Sequence, residues 1–394
     1  MTGYASFHVA DGTLSEAEKL QQRQALAKKM FGCDFAELFD VHLDAEKIGK
    51  KNCENFMGSV EVPVGIAGPV AISSDVFSEE KEIFLPLATT EGALVASIQR
   101  GCKAINAAGN AKIFVKKIGM SRAPVFRCED GTAALQFANW IDEHISEFAA
   151  AAEKTSQHLH FLSHHSWVRG RNVYVRFVFD SEEAMGMNMV SIAVQTAWVE
   201  LQKQHPHVEL LSLTSNVCTD KKDSVINRLF GRGYWVQAEA FLPAEVLKEV
   251  LKTNAERFFD THLVKNLVGS NIAGSFSQNM QIGNAVAAMY LAMGQDMAHV
   301  TEGSQAATTV EKETDGLYIA VTLPNVVVGT VGGGTWLPAQ TQAREIIRGG
   351  KSVDAKQLAA AIGVAALAGE ISGLSALSVG QLAAAHAKLG RSGQ

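Results

Sequence analysis

Lys221 lies at the centre of Thr214 to Gly233, TSNVCTDKKDSVINRLFGRG, with Asp220 before it and Lys222 after it. A lysine ammonium beside carboxylates can hold the negative charge that develops on an oxygen during acyl chemistry. Adjacent lysines at a turn also serve as solvated surface groups, and for a lone DKK that reading would stand. The balance shifts because three more ionisable residues, Glu91, Asp296 and His386, sit alone in long apolar surroundings. Glu91 is the single charge in residues 83–99, IFLPLATTEGALVASIQ. A carboxyl among apolar neighbours has its charged form disfavoured and its pKa raised, as a proton donor requires; the plain alternative is a charge in a first helical turn. Asp296 ends the stretch from Asn266 to Gln295, which has no formally charged side chain, and it reads as a buried group rather than a helix-end charge. His386 follows the uncharged Ile371 to Ala385 run, where a surface histidine is the default.

The elements that must position these groups are legible from periodicity. An apolar run, Val208 to Leu213, leads as a strand into the lysine segment, and Val225, Ile226 and Leu229 lead out at helical spacing. Thr89 or Thr90 is placed to cap a helix carrying Leu94, Val95 and Ile98. Ser97, Arg100 and Lys103 share roughly one face of that helix, suiting either a phosphate-bearing ligand or solvent. The stretch Asn266 to Gln295 predicts a central buried helix with a break near Gly274 to Ser277. Residues 13–50 predict an amphipathic N-terminal arm, opened by a capping box of Ser15 and Glu18. Cys53 to Ile72 reads as a strand with tight turns, or else as a ligand-lining or subunit-pairing segment.

Leu317 to Val328 is strand-like and runs into Gly329 to Thr335, GTVGGGT. That loop lacks the Gly-Lys-Ser/Thr ending of a phosphate-binding P-loop, and is either a tight turn or a place where backbone approaches a ligand. Leu317 to Pro338 is free of charge, but Pro324 and the triple glycine read as strand plus turn rather than a membrane span. Lys356 to Lys388 is an Ala-, Leu- and Gly-rich helix. Ala123 to Leu213 reads βαββαβ, with Asn172 to Phe179 its clearest strand, which predicts a ferredoxin-like unit inserted in a larger one. Within it Glu183 to Met189, EAMGMNM, opens a helix; its methionines are core residues or the floor of a dinucleotide site.

These signals predict an α+β fold: a large, mainly helical domain around a central buried helix, with an inserted ferredoxin-like βαββαβ small domain. The divisions are residues 1–50 (arm), 51–122 with 213–394 (large domain), and 123–212 (small domain). The 394 residues carry a net charge of −6, which argues against nucleic acid as a partner. Five scattered cysteines without CxxC spacing argue for a reducing compartment and against a structural zinc site, and no histidine pattern suggests another metal. No secretory signal is visible, so a soluble, cytoplasmic protein without a membrane partner is expected.

Taken together, ENFMGSVEVPVGIAGPV, LATTEGALVASIQRGCKAI, GMSRAPV, EAMGMNM, NVCTDKKDSVINRLFGRG, KNLVGSNIAGS, MGQDMAHV, GTVGGGT and the terminal His386 resemble the 3-hydroxy-3-methylglutaryl-CoA reductases. The resemblance covers the chain from about residue 18, and EAMGMNM looks like the biosynthetic class. It implies four-electron reduction of the thioester to mevalonate with two nicotinamide hydrides, NADPH favoured and NADH open, and no metal. It also implies a homodimer or dimer-based assembly with the site between subunits. Lys221 would stabilise the oxyanion, Glu91 would supply a proton to mevaldehyde, Asp296 would bond both, and His386 would protonate the departing CoA thiolate. Arg122, Thr214, Asp220, Lys222, Lys265 and Asn284 would hold the hydroxymethylglutaryl end. Ser97, Arg100, Lys103 and Ser372 would face CoA. Ser156, Gln157, Glu183, Met185, Met187, Asn188, Gly332, Gly333 and Gly334 would face the dinucleotide.

Four positions depart from the family pattern. Thr214 stands for a serine, Glu183 for an aspartate and Gln281 for a histidine near CoA. Gln157 stands where an arginine usually meets the 2′-phosphate, removing a fork-shaped cation. Ser392 coincides with a regulatory phosphorylation position of some relatives, without kinase context. Two other functions compete: a CoA thioesterase with Cys218 as nucleophile, and a non-catalytic CoA-binding protein.

Overall fold

The computed structural model describes residues 7–380; His386 and Ser392 lie outside them. Among the described residues ten strands form one mixed sheet system: β1 (Val64–Ser73), β2 (Glu82–Ala88), β3 (Ala111–Arg122), β4 (Val125–Arg127), β5 (His160–Arg169), β6 (Asn172–Asp180), β7 (Glu209–Ser212), β8 (Gly233–Pro243), β9 (Ala307–Glu313) and β10 (Gly316–Val326). The main path runs β7-β4-β6-β3-β8-β10-β9, with β1 beside β2 and β3, and β5 beside β6. β3 joins two halves. Lys112 to Gly119 pair antiparallel with β8, and Met120 to Arg122 pair antiparallel with β6, the register shifting between Lys117 and Gly119.

Two apolar cores lie on either side of that joint. The larger gathers β1, β2, β8, β10 and their covering helices, with Leu85, Ile98, Val236, Ile319 and Leu367 fully enclosed. The smaller gathers residues of 120–208, with Phe126, Phe137, Phe177 and Trp198 at its centre, plus Val327. In chain order the 125–212 segment is strand, two helices broken at His144, two strands, helix, strand. Its strands stand β7-β4-β6-β5, all antiparallel.

The enclosed helix at the centre is Ala355–Ser378, not the segment predicted for that place. Asp354 caps it, its side chain accepting from Gln357 N while Gln357 returns a bond to the cap backbone. Small residues let neighbours approach: at Gly101, on the helix Leu94–Ala108, a Cβ would stand 1.9 Å from Ala368 O. By length and apolarity this helix could cross a bilayer, yet it is wholly enclosed by protein, as a core helix is. Residues 266–295 instead form a π-helical turn (Leu263–Gly269), a short helix ending at Gly274 in the left-handed region, a polar turn, and the helix Ile282–Ala292. Asn279 and Ser277 bond the Ser304 carbonyl across that turn, so the uncharged polar residues make the break expected near Gly274 to Ser277.

Glu91 precedes its helix rather than lying in the first turn. The helix begins at Leu94, its cap position is Ala93 in the left-handed region, and no side chain caps it. Thr89 Oγ1 accepts instead from Glu91 N at 2.9 Å, so both residues belong to the approach loop. The expected capping box forms, Ser15 and Glu18 making both bonds ahead of the helix Glu16–Phe31; Ala36–Phe39 and Ala45–Lys51 follow as separate short helices.

Candidate active site

Lys221 Nζ lies 2.8 Å from Asp296 Oδ2. Lys221 sits at φ 56°, in a turn after a short 3-10 segment, so the backbone swings its side chain across to the Asp296 loop. Asp296 starts a 3-10 turn, its Oδ1 accepting from Ala298 N at 3.0 Å. With 35% of its side chain exposed, it lies at the site's edge rather than buried as predicted. Partial burial works against its charged form, but the Lys221 bond, the Ala298 N–H and the nearby His299 outweigh burial and hold its carboxyl below the ordinary carboxylate value.

This pair stands at one end of a cleft of about 860 Å³. Arg122, Asp220, Lys221 and Asp296 line that end, while Met185, Met187 and Asn188 and the backbone of Gly332, Gly333 and Gly334 line the rest. Gly329 fixes the floor, since a Cβ there would stand 2.4 Å from Met185 N, so the glycine strand and the methionine segment touch backbone to backbone. Gly332 and Gly333 have positive φ with open space above them, room in which an extended dinucleotide can lie on bare backbone. The sequence-predicted cofactor residues therefore divide. Met185, Met187, Asn188 and the glycines meet in one cleft. Glu183 turns away as a strut, its carboxylate accepting from Thr330 Oγ1 at 2.5 Å and Ala355 N at 2.8 Å.

Ser156 and Gln157 do not line the cleft. Ser156 Oγ accepts from His158 N at 3.2 Å, and the exposed Glu182 carboxylate joins His158 Nδ1 at 2.7 Å to His160 Nε2 at 3.4 Å. An acidic group thus occupies the neighbourhood of Gln157.

Glu91 lies in a smaller hollow of about 260 Å³, lined also by Thr89, Thr90, Asn284 and Met297, with Leu291 common to both hollows. Its Oε1 accepts from Asn284 Nδ2 at 3.2 Å, while Glu91 itself is exposed rather than enclosed by apolar neighbours. The predicted bond from Asp296 to Glu91 is therefore not made within one chain; Asn284 takes that carboxylate. Thr214 is exposed and pairs with Cys218 Sγ at 3.1 Å, and Lys222 and Lys265 are exposed away from the cleft. On the supposed CoA face, Ser97 Oγ donates to Ser372 Oγ at 3.0 Å and Arg100 Nη2 donates to Leu251 O at 2.6 Å, while Lys103 stays exposed. His386 is outside the described residues.

Beneath the Lys221–Asp296 pair lies a set of buried ions that sequence reasoning missed. Arg232, His299 and Glu302 are each fully buried. Arg232 Nη1 donates to Glu302 Oε1 at 2.5 Å, and Nη2 stands at ion-pair distance, 3.0 Å, from Asp220 Oδ1. Glu302 also accepts from Asn227 Nδ2 and Lys221 N. Asp220, His299 and Glu302 offer ligand atoms within 4.8 Å of one another, but the Arg232 guanidinium already neutralises two of them. The set is an ion network, and its one sequence signal is Arg232 pressed between Gly231 and Gly233 in the GRG of the lysine segment.

Among solved structures the likeness is one of fold. A class II 3-hydroxy-3-methylglutaryl-CoA reductase from Streptococcus pneumoniae, bound to NADPH in open conformations, superposes with a TM-score of 0.68 at 19% identity, covering 93% of this chain and 98% of that one. The family described as hydroxymethylglutaryl-coenzyme A reductase matches residues 19–391, and the chain belongs to that family. A 3-hydroxy-3-methylglutaryl-coenzyme A reductase of Halobacterium salinarum is 46% identical over 353 residues, covering 88% of this chain and 86% of that protein. One from Pyrococcus abyssi is 40% identical over 377 residues, covering 94% and 92%.

Proposed function

We propose that the protein reduces 3-hydroxy-3-methylglutaryl-CoA to mevalonate and CoA, using two equivalents of a nicotinamide dinucleotide. The observation that carries this reading is the Lys221–Asp296 pair at the end of a cleft backed by Gly332 to Gly334. When bound there, the dinucleotide supplies hydride to the acyl carbon. Lys221 is the group placed to hold the oxygen of that carbon as it gains charge, and Asp296 keeps the ammonium oriented. Asp220 and Arg122, at the same end, are placed to hold the hydroxymethylglutaryl carboxylate and hydroxyl. Glu91 serves as proton donor for the aldehyde step from its adjoining hollow, steadied by Asn284. A CoA thiolate with the pKa of a cysteine, about 8.5, leaves poorly at neutral pH, and His386 is assigned its protonation.

The same reading makes the 123–212 segment a ferredoxin-like dinucleotide unit, supported by its β7-β4-β6-β5 strand order, set into a large domain of 51–122 and 213–394. It pairs the chain with a second copy. Exposed apolar residues Val60, Val64 and Ile66 on one side and Val264, Val268 and Ile272 on another are suited to burial in such a pairing, which would also complete the site around Glu91, Thr214, Lys222 and Lys265. Five free cysteines fit a reducing, cytoplasmic setting. NADPH is the favoured cofactor, as in the Streptococcus structure, with NADH open because of Gln157.

The test is thioester-dependent oxidation of NADPH and of NADH, followed by absorbance, for the wild type and Lys221→Met. Turnover by the wild type with a loss of about 1000-fold in the variant is expected, the scale of a lost oxyanion contact. Thioester cleavage without dinucleotide oxidation, abolished by Cys218→Ala, would establish the hydrolase instead.

A further inference from the structure

The proposed chemistry leaves His299 without a task, although it sits one turn beyond Asp296 and is fully buried. Its Nδ1 is 2.5 Å from Glu302 Oε1. A carboxylate oxygen only accepts, so Nδ1 carries a proton. Nε2 is buried with no hydrogen-bond partner among the described residues. It faces a fork, 3.6 Å from Asp296 Oδ2 and 3.8 Å from Asp220 Oδ1. The charged groups around the ring are Glu302 and Arg232 on one side, Asp220 and Asp296 on the other, and Lys221 behind Asp296. Arg176 and Tyr290 stand farther off and act on the cluster through Arg232 and Glu302.

Three carboxylates in this set face two permanent cations. A proton on Nε2 adds the third positive charge and a donor aimed at Asp296. Without it, a lone pair faces two carboxylate oxygens, and the contact turns repulsive. We propose that His299 is a positioning residue for the Lys221–Asp296 pair: it holds the Asp296 carboxylate toward Lys221 Nζ while Nε2 is protonated and releases it when that proton leaves. Turnover then falls when the Nε2 proton is lost. The inference rests on the roles proposed above for Lys221 and Asp296.

The experiment compares pH profiles of kcat for the wild type, His299→Gln and His299→Asn. The glutamine puts an untitratable amide donor near the place of Nε2; the asparagine stops short of Asp296. His299→Gln is expected to keep turnover at neutral pH within about five-fold and to move the alkaline limb upward by about one pH unit or more. His299→Asn is expected to lose about 30-fold in kcat, with KM for both substrates within about two-fold. An unmoved alkaline limb in His299→Gln, or a loss in His299→Asn that falls on KM alone, overturns the proposal. Should neither variant fold, ring nitrogen-15 shifts of the wild type decide: Nδ1 stays protonated while Nε2 titrates in step with the alkaline limb. An Nε2 of constant protonation from about pH 6 to 9 refutes it. Lys221→Met separates the two readings, because full activity in that variant removes the lysine role whatever His299 does.

Discussion

Gln295 grips Gly329 at both ends of its amide: Oε1 accepts from Gly329 N at 2.9 Å and Nε2 donates to Gly329 O at 3.0 Å. The residue after Gln295 is Asp296, and the residues after Gly329 are the glycine loop. One buried side chain therefore locks the Lys221 partner and the cleft floor into a single joint. Gln295→Leu leaves both backbone groups of Gly329 unpaired, at a cost of about 1–3 kcal/mol for each that stays buried. Its melting temperature should fall, and both kcat and the dinucleotide KM should worsen. A fall in stability with unchanged KM would show that the joint does not set the loop.

The helix Ala45–Lys51 and its cap residue Asn52 reach the same loop from outside. Asn52 Nδ2 donates to Gly333 O at 2.9 Å, Trp336 Nε1 donates to Asn52 Oδ1 at 3.1 Å, and Lys47 Nζ stands 3.8 Å over the Trp336 ring. Exposed hydrogen bonds of this kind are worth about 0.5–1.5 kcal/mol each. Asn52→Ala should raise the dinucleotide KM by about three- to ten-fold, leave the thioester KM alone and leave the fold intact by circular dichroism. Equal changes in both KM values would refute a local effect.

Glu370 tests burial and pH together. It is fully enclosed on the central helix and accepts from Met280 N, Gln281 N and Thr308 Oγ1, which fixes the start of the helix that carries Asn284. Burial raises its pKa despite these donors. A raised carboxyl pKa means the folded state keeps a proton that the unfolded chain has lost, so its share of stability falls as pH rises from about 4.3, the unfolded value, to the higher folded value. Glu370→Gln should remove that slope in denaturation midpoints, and should lower stability at every pH by presenting an NH2 to facing donors. A variant that keeps the wild-type slope would assign it to other groups.

Gln157 tests dinucleotide choice. The nearby Glu182 carboxylate, held in its charged form by His158 and His160, offers a 2′-phosphate no welcome. Gln157→Arg adds a planar fork suited to phosphate and should raise the NADPH-to-NADH ratio of kcat/KM by about ten-fold. An unchanged ratio would place the 2′-position elsewhere.

Arg232 is the strut of the buried network. Arg232→Met leaves Glu302 buried beside a carboxylate without its cation, a change that costs about 3–5 kcal/mol. Loss of soluble protein or a sharply lowered melting temperature is expected; wild-type stability would mean that Glu302 needs no cationic partner.

Much of the local structure follows from residue order alone. The Ser15 capping box, the strand Asn172–Asp180 and the helix opening at Met187 are set by contacts between near neighbours, which periodicity and turn chemistry report. The central helix and the Glu91 loop were misplaced for the opposite reason. An uncharged run such as 266–295 reads as buried wherever it lies; the break expected near Gly274 to Ser277 is there, made by the polar bonds of Ser277 and Asn279 to Ser304. Thr89 and Thr90 satisfy the rule for a helix cap, yet the register of β2 carries them off before the helix begins.

By itself the sequence determined which ionisable residues are isolated and which glycines free the backbone, because those are properties of neighbours in the chain. Tertiary structure decided the rest: that Lys221 meets Asp296, that Glu183 braces the start of the central helix, and that Arg232, His299 and Glu302 are buried together beneath them. Such pairings join residues up to about 170 positions apart, whose energies depend on burial and orientation, and no local pattern encodes either.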